Sequence, residues 1–302
     1  MDRRVSKFDI VMMLSFILLL AVGVGAFFFG LHTGKTQSDA AYESIIAELM
    51  DERNQHDVAY HQQQLVSFYH TVLLPFGEFQ EAWFQQAEKI GTSSGVADAQ
   101  DLLKELGRLA ADKSEKIKPT TIPEVSPLLR DAQSNYLKSL SLFAEAAKRL
   151  QSERDDRALS AAMKQDAYVL EAANYALKAQ SQFYEAIWEW NKSVQPELGG
   201  VNSVYKDNIT LEEWRNLNLN AKNVYVSRKL LADGAFASFY PQDVTSRIDE
   251  MDDNGKLDQL RVTDVNTAIT TLLSTGAVRA NDYLESKNRI YKNETLPLLP
   301  FF

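Results

Sequence analysis

Residues 125–150 read VSPLLRDAQSNYLKSLSLFAEAAKRL, and the spacing of their apolar side chains decides the fold class. Val125, Leu129, Ala132, Tyr136, Leu140, Phe143, Ala147 and Leu150 follow one another at intervals of three or four residues. That period places them on one face of an α-helix, whereas a strand would need strict alternation. Glu and Lys positions fill the other side, as on a helix with one face in a core and one in water.

The same pattern flanks this stretch. Leu102, Leu103, Leu106, Leu109 and Ala110 predict a helix between the loop GTSSG at 91–95 and the breaker PTTIP at 119–123. Downstream, QSERDDR turns the chain into a helix predicted from Ala158 to Val194. It presents Leu159, Met163, Leu170, Ala173, Leu177, Tyr184 and Trp188. Three such helices joined by short turns bury their apolar faces most simply as an antiparallel bundle. The expected fold is all-α and elongated.

Upstream, one stripe runs through Tyr42, Ile45, Ile46, Leu49 and Met50, and a second through Val58, Leu65, Phe68, Val72, Phe76, Phe79 and Trp83. The polar stretch DERNQHDVAYHQQQ between them reads as a solvated stalk, and Pro75 is expected to kink or divide the second helix. Beyond residue 195, Pro196 and Gly199-Gly200 mark the best internal boundary. Thr210-Leu211-Glu212-Glu213 then opens a helix with a capping box, carrying Trp214, Leu217, Ala221, Val224 and Leu231 to a stop at Asp233-Gly234. A short helix after Pro241 points Val244, Ile248 and Met251 inward. A last helix is predicted from Lys256 or Thr263 to Tyr291, with TAITTLLST read as helix despite its β-branched residues. The apolar tail TLPLLPFF is expected to pack in extended form across the bundle.

The strongest single signal is IVMMLSFILLLAVGVGAFFFGL, residues 10–31, without a charge in 22 positions. At 1.5 Å per residue it spans about 33 Å, enough to cross a hydrocarbon core. Arg3, Arg4 and Lys7 precede it, and Lys35 is the one Lys or Arg between its end and Arg53, so residues 1–9 are expected in the cytoplasm and the rest outside. Val24-Gly25-Ala26 offers a cleavage-like spacing, but Phe27-Phe28-Phe29 prolong the run beyond a signal-peptide core, which favours an uncleaved signal anchor. Ala26 and Gly30, four apart, are the candidates for helix–helix packing within the membrane and hence for a homo-oligomer. The expected organisation is a tail at 1–9, a membrane helix at 10–31, a juxtamembrane helix and bundle at 32–195, and a C-terminal helical segment at 196–302 that either stands apart or joins the same domain.

Composition narrows the chemistry. The chain has 302 residues and no cysteine, which excludes disulfides, thiol nucleophiles and Cys-ligated metals. Net charge is −9, with −11 falling on residues 36–302, the opposite of a nucleic-acid binder. Of four histidines, His56, His61 and His70 cluster without the i,i+3 or i,i+4 spacing of a metal pair, and Glu-x-x-His is absent. A solvated or interface role is expected for them, with pH sensing near 6.5 as the sharper option. No P-loop or dinucleotide-binding glycine pattern occurs, and GTSSG at 91–95, the one G-x-S-x-G spacing, joins two predicted helices rather than a strand and a helix.

Two features are the candidate sites. Residues 250–261, EMDDNGKLDQLR, resemble part of an EF-hand loop: Glu250, Asp252, Asn254 and Gly255 fit its start. Arg261 stands where a bidentate carboxylate is required, so a plain helix-connecting turn is the expectation and no metal or cofactor is assigned. Tyr168, Tyr175, Phe183, Tyr184, Trp188 and Trp190 cannot all share one narrow face; core packing is the default for them, and an exposed aromatic surface for carbohydrate or protein at Trp188 and Trp190 is the sharper alternative. Sequons begin at Asn191, Asn208 and Asn293, while a cysteine-free exterior suits a bacterial cell membrane. The functional expectation is a non-enzymatic, single-pass scaffold or interaction module at the cell envelope with a protein partner. A ligand-sensing helical module signalling through a membrane partner is the second reading, and a cell-wall enzyme using paired carboxylates is the third.

Overall fold

The helix read from residues 125–150 sits at the centre of the packing. The computed structural model describes residues 60–92, 96–152 and 156–302. The membrane segment 10–31, with Ala26 and Gly30, and the stalk up to residue 59 lie outside the described residues, as do residues 93–95 of GTSSG and residues 153–155. The described elements are α1 (Gln62–Phe68), a π-type segment (Tyr69–Leu73), α2 (Leu74–Thr92), α3 (Val96–Ile117), α4 (Pro127–Leu150), α5 (Asp156–Gln165), α6 (Ala167–Val194), α7 (Leu211–Arg215), α8 (Leu219–Ala232), α9 (Pro241–Asp253), α10 (Lys256–Gln259), α11 (Val265–Thr275) and α12 (Asp282–Ile290). The fold is all-α. Among the described residues there is no strand, only one isolated bridge between Thr210 and Asp264, and no helix is long and apolar enough to cross a membrane.

Helix α4 packs against α6 on one side and α3 on the other, and α2 packs against α3. The apolar stripes meet as an aromatic ladder. Phe76 lies 4.3 Å from Tyr136, Phe79 5.1 Å from Phe143, and Trp83 4.5 Å from Phe143, centroid to centroid. Tyr136, Phe143, Phe76 and Phe79 are buried, each worth about 2–3 kcal/mol by area, with a further increment from the tilted ring contacts.

Pro75 does not divide its helix. Leu74 donates its N–H to Tyr69 O, five residues back, and Pro75 has no N–H to leave stranded when the chain resumes α geometry. The widened turn absorbs the proline, and the helical path continues from Gln62 to Thr92.

Elsewhere the chain breaks more often than periodicity suggests. The helix expected from Ala158 to Val194 is two helices, because Asp166 adopts extended backbone and its carboxylate caps the N–H groups of Tyr168 and Val169. Leu170, placed in the buried stripe by its spacing, is 56% exposed as a result. Val125 likewise precedes α4, which starts at Pro127, and is 45% exposed. The capping box at Thr210 and Glu213 forms, but α7 ends at Arg215, and Asn218 caps a new helix by accepting from Ala221 N. The final predicted helix is three helices, α10, α11 and α12. Asp264 caps α11, Gly276 ends it with φ 61°, and TAITTLLST lies wholly within it.

Residues Asp57–Phe302 form one unit, so the segment after Pro196 shares its core with the bundle. The connection is α6 against α8, continued by α8 on α9 and α9 on α12. The tail packs against the body, but through turns rather than in extended form: Phe302 donates its N–H to Leu299 O, Leu299 and Phe302 are buried, Leu298 is exposed, and Phe301 lies 5.5 Å from Tyr69 and 6.4 Å from Tyr240.

Candidate functional site

The residues that sequence singled out do not assemble a site. Trp188 is fully buried and Trp190 is 7% exposed, so both pack in the core, the default reading, and the alternative of an aromatic surface at these two residues is not found. The reason is that α6 is covered on more than one side, by α4 and by α8, and a wide buried arc accommodates both indoles. Asn191, the first sequon, is also fully buried, donating to Gln195 Oε1 and accepting from Asn218 Nδ2.

The calcium-like stretch is an ion-paired turn. Arg215 holds Asp252 with two hydrogen bonds of 2.7 and 2.6 Å. Arg247 pairs with Glu250, and Arg289 approaches Glu250 at 3.7 Å and Asp253 at 3.2 Å. Glu250, Asp252 and Asp253 each already face a guanidinium, and Gly255 turns the chain at φ 68°. Among the described residues no three His, Asp or Glu side chains gather as metal ligands. His61 occupies the N-cap position of α1, and His70 packs edge-on to Tyr69, so neither belongs to a ligand set; His56 lies outside the described residues.

The structure instead brings together a groove that no single stretch of sequence announces. It encloses about 470 Å³. One wall is the π-type segment and α2, from Tyr69 through Leu73, Leu74, Gly77, Glu78, Glu81, Phe84 and Gln85 to Glu88. The other is built from Ser238, Tyr240, Ala280, Asn281 and Phe301, three segments remote in sequence. Glu78, Glu81, Gln85 and Glu88 recur at three- and four-residue steps, so they line one face of α2 along its length. That stripe is the one signal by which sequence alone could have found this wall.

Two features hold the walls in place. Gly77 is the closest approach: a Cβ there would meet the Tyr240 hydroxyl at 2.8 Å, so only glycine lets the ring lie against α2. Behind the far wall, Asp243 accepts from Tyr240 N at 2.9 Å through one carboxylate oxygen and from Tyr283 N at 3.1 Å through the other. This one side chain ties the segment carrying Ser238 and Tyr240 to the turn carrying Ala280 and Asn281, where Asn281 itself is held at φ 74°. Burial pushes the Asp243 carboxyl up to about 6, against the lowering pull of its backbone N–H bonds, and burial likewise pushes the Tyr240 hydroxyl up to about 12.

The groove's electrostatics are one-sided. Three carboxylates and no Lys, Arg or His line it. Glu78 is paired with Lys113 from α3, while Glu81 is exposed and receives an amide hydrogen bond from Gln85 at 3.0 Å. Four aromatic rings, Tyr69, Phe84, Tyr240 and Phe301, form its apolar part.

A second polar cluster lies deeper. Asp249 accepts from Trp214 Nε1 at 2.7 Å, Lys222 Nζ at 2.8 Å and Tyr291 Oη at 2.6 Å, all four residues being buried. Its donors saturate it, and burial beside Asp249 drives the Tyr291 hydroxyl far above its usual range. This is a structural knot joining α7, α8, α9 and the chain after α12. The groove's walls thus present rings and carboxylates, with no Lys, Arg or His among the residues that line it. No family model, no curated protein and no solved structure matches this chain.

Proposed function

We propose that this protein is a non-enzymatic, single-pass membrane-anchored module whose helical body meets other proteins at the cell envelope. The observation that carries the reading is the uncharged run Ile10–Leu31 with Arg3, Arg4 and Lys7 before it, ahead of a helical body that bears the acidic charge. The body's own features support it. Its buried ionisable groups are consumed in structural contacts such as Asp249 with Lys222, and its open groove presents rings and carboxylates. The membrane helix tethers, the N-terminal tail stays in the cytoplasm, and the bundle faces outward in a bacterial envelope.

The test is fractionation followed by protease treatment. Full-length protein should stay in membranes through an alkaline carbonate wash, and proteinase added to spheroplasts should degrade the body. Release by carbonate, or a body fully protected in intact spheroplasts, overturns the reading. Deleting residues 10–31 should move the protein to the soluble fraction.

A further inference from the structure

We propose that Trp188, Asn223 and Thr245 form a binding site for buried water at the junction of α6, α8 and α9. None of the three lines the groove, and the site is independent of how the chain is anchored.

Helix register brings the three residues to one level. Helix α6 meets α8 through Glu185 with Arg228 at 3.0 Å and through Asn191 with Asn218 at 2.8 Å. The pairing runs antiparallel, and its midpoint sets Trp188 opposite Asn223. Helix α9 meets α6 where Tyr184 donates to Gln242, and meets α8 where Lys222 donates to Asp249 at 2.8 Å. Thr245 stands three residues after Gln242 and four before Asp249, so it shares the face that makes both contacts. Trp188 likewise stands four residues after Tyr184 and three before Asn191, on the face of α6 that meets α9 and α8. Asn223 directly follows Lys222, within the stretch of α8 that Asn218 and Arg228 bracket.

The chemistry at that level is incomplete without a small polar molecule. All three side chains are fully buried. Trp188 Nε1, Asn223 Nδ2 and Oδ1, and Thr245 Oγ1 have no hydrogen-bond partner among the described residues. Buried polar groups in folded proteins are nearly always paired, either with protein or with ordered water, because an unpaired one loses its hydration for nothing. The indole is a donor only, whereas the amide and the hydroxyl offer both donor and acceptor. A water that accepts from Trp188 Nε1 and donates to Asn223 Oδ1 and Thr245 Oγ1 makes three hydrogen bonds, about the number usual for a buried water. The indole N–H turns a cation away, and none of the three residues supplies a carboxylate to hold one.

The test is water–protein NMR on the full chain in detergent micelles, with nitrogen-15 in the tryptophan indoles. Trp188→Phe identifies the Trp188 signal by its loss. In a water-selective rotating-frame experiment, the Trp188 N–H should show a cross-peak to water with the sign of proximity, opposite to that of chemical exchange. Asn223→Leu, close in volume, should abolish this cross-peak while helical circular dichroism stays unchanged. Thr245→Val removes a hydroxyl whose exchanging proton gives a relayed signal of the same sign. There the cross-peak should persist, because the indole and the Asn223 amide still hold the water.

No cross-peak in the unaltered chain, or one with the sign of exchange, overturns the site. Loss of the cross-peak in Thr245→Val assigns it to the hydroxyl proton and overturns the site as well. Persistence in Asn223→Leu shows that the amide is no ligand, which also overturns it. Should Asn223→Leu fail to fold, the spectra of the unaltered chain and of Thr245→Val decide.

Discussion

The two halves of the described chain solve the burial problem differently. From α2 to α6 the core is built on rings and aliphatic side chains, with Phe76, Phe79, Trp83, Tyr136, Leu140 and Phe143 interlocking, and its buried polar side chains, Lys113 apart, are uncharged amides and hydroxyls. From α8 onward the core carries Asn220, Lys222, Asn223, Gln242, Asp243, Thr245 and Asp249. The first half depends on area, which is non-directional and tolerant of exchange between apolar residues. The second depends on hydrogen bonds that hold only in one geometry, and short helices need such directional contacts because each presents little apolar face of its own. The groove lies where the two meet, with a bundle helix for one wall and polar-knotted turns for the other.

That contrast can be broken by substitution. Asp249→Ala should give the largest effect, about 3–5 kcal/mol by urea denaturation, because it strands Lys222 as a buried unpaired charge and removes the acceptor of Trp214 and Tyr291. A loss under 1 kcal/mol would show that the knot is not structural. Acidity sharpens the comparison next. Asp243 holds its proton up to about pH 6 when folded but only to about 3.8 when unfolded. The folded state therefore binds more protons between those values, and stability should fall by about 2 kcal/mol as pH rises from 4.5 to 7. Comparing urea midpoints at pH 4.5 and 7.0 reads this, and the difference between wild type and Asp243→Asn isolates it from other carboxyls. An unchanged slope in Asp243→Asn would assign the effect elsewhere.

Leu140→Met in the bundle should cost less than about 1.5 kcal/mol despite complete burial, a result that would fail if the carbon core were as geometry-bound as the polar one. Thr210→Ala should cost about 1 kcal/mol in thermal melts through loss of the cap on α7. Gly77→Ala sets better helix propensity against the Tyr240 hydroxyl. It should be net destabilising by a few tenths of a kcal/mol and become stabilising in a Tyr240→Phe background.

Legibility followed the same divide. The stripes through 65–83, 102–110 and 129–150 were readable because each helix buries one continuous face, and every second turn repeats the evidence. The break at Asp166 was hidden because its neighbours on both sides keep helical period, and only its own cap bonds reveal it. Trp190 was misplaced because a one-face rule cannot describe a helix covered on two sides. The groove was the least visible, since its far wall is gathered from 238–240, 280–281 and 301 by Asp243, a residue whose carboxylate binds backbone N–H groups that leave no trace in composition.

Sequence by itself therefore determined the all-helical class, the position of most bundle faces, the caps at Thr210 and Gly234, and the charge balance, because these depend on residues within a turn or two of one another. Only the tertiary structure decided which tryptophans are hidden, how the EMDDNGKLD carboxylates are neutralised, and where a groove opens. Apart from the local Arg247–Glu250 pair, those outcomes depend on contacts between segments far apart in sequence, and local periodicity carries no information about which distant partner a side chain will meet.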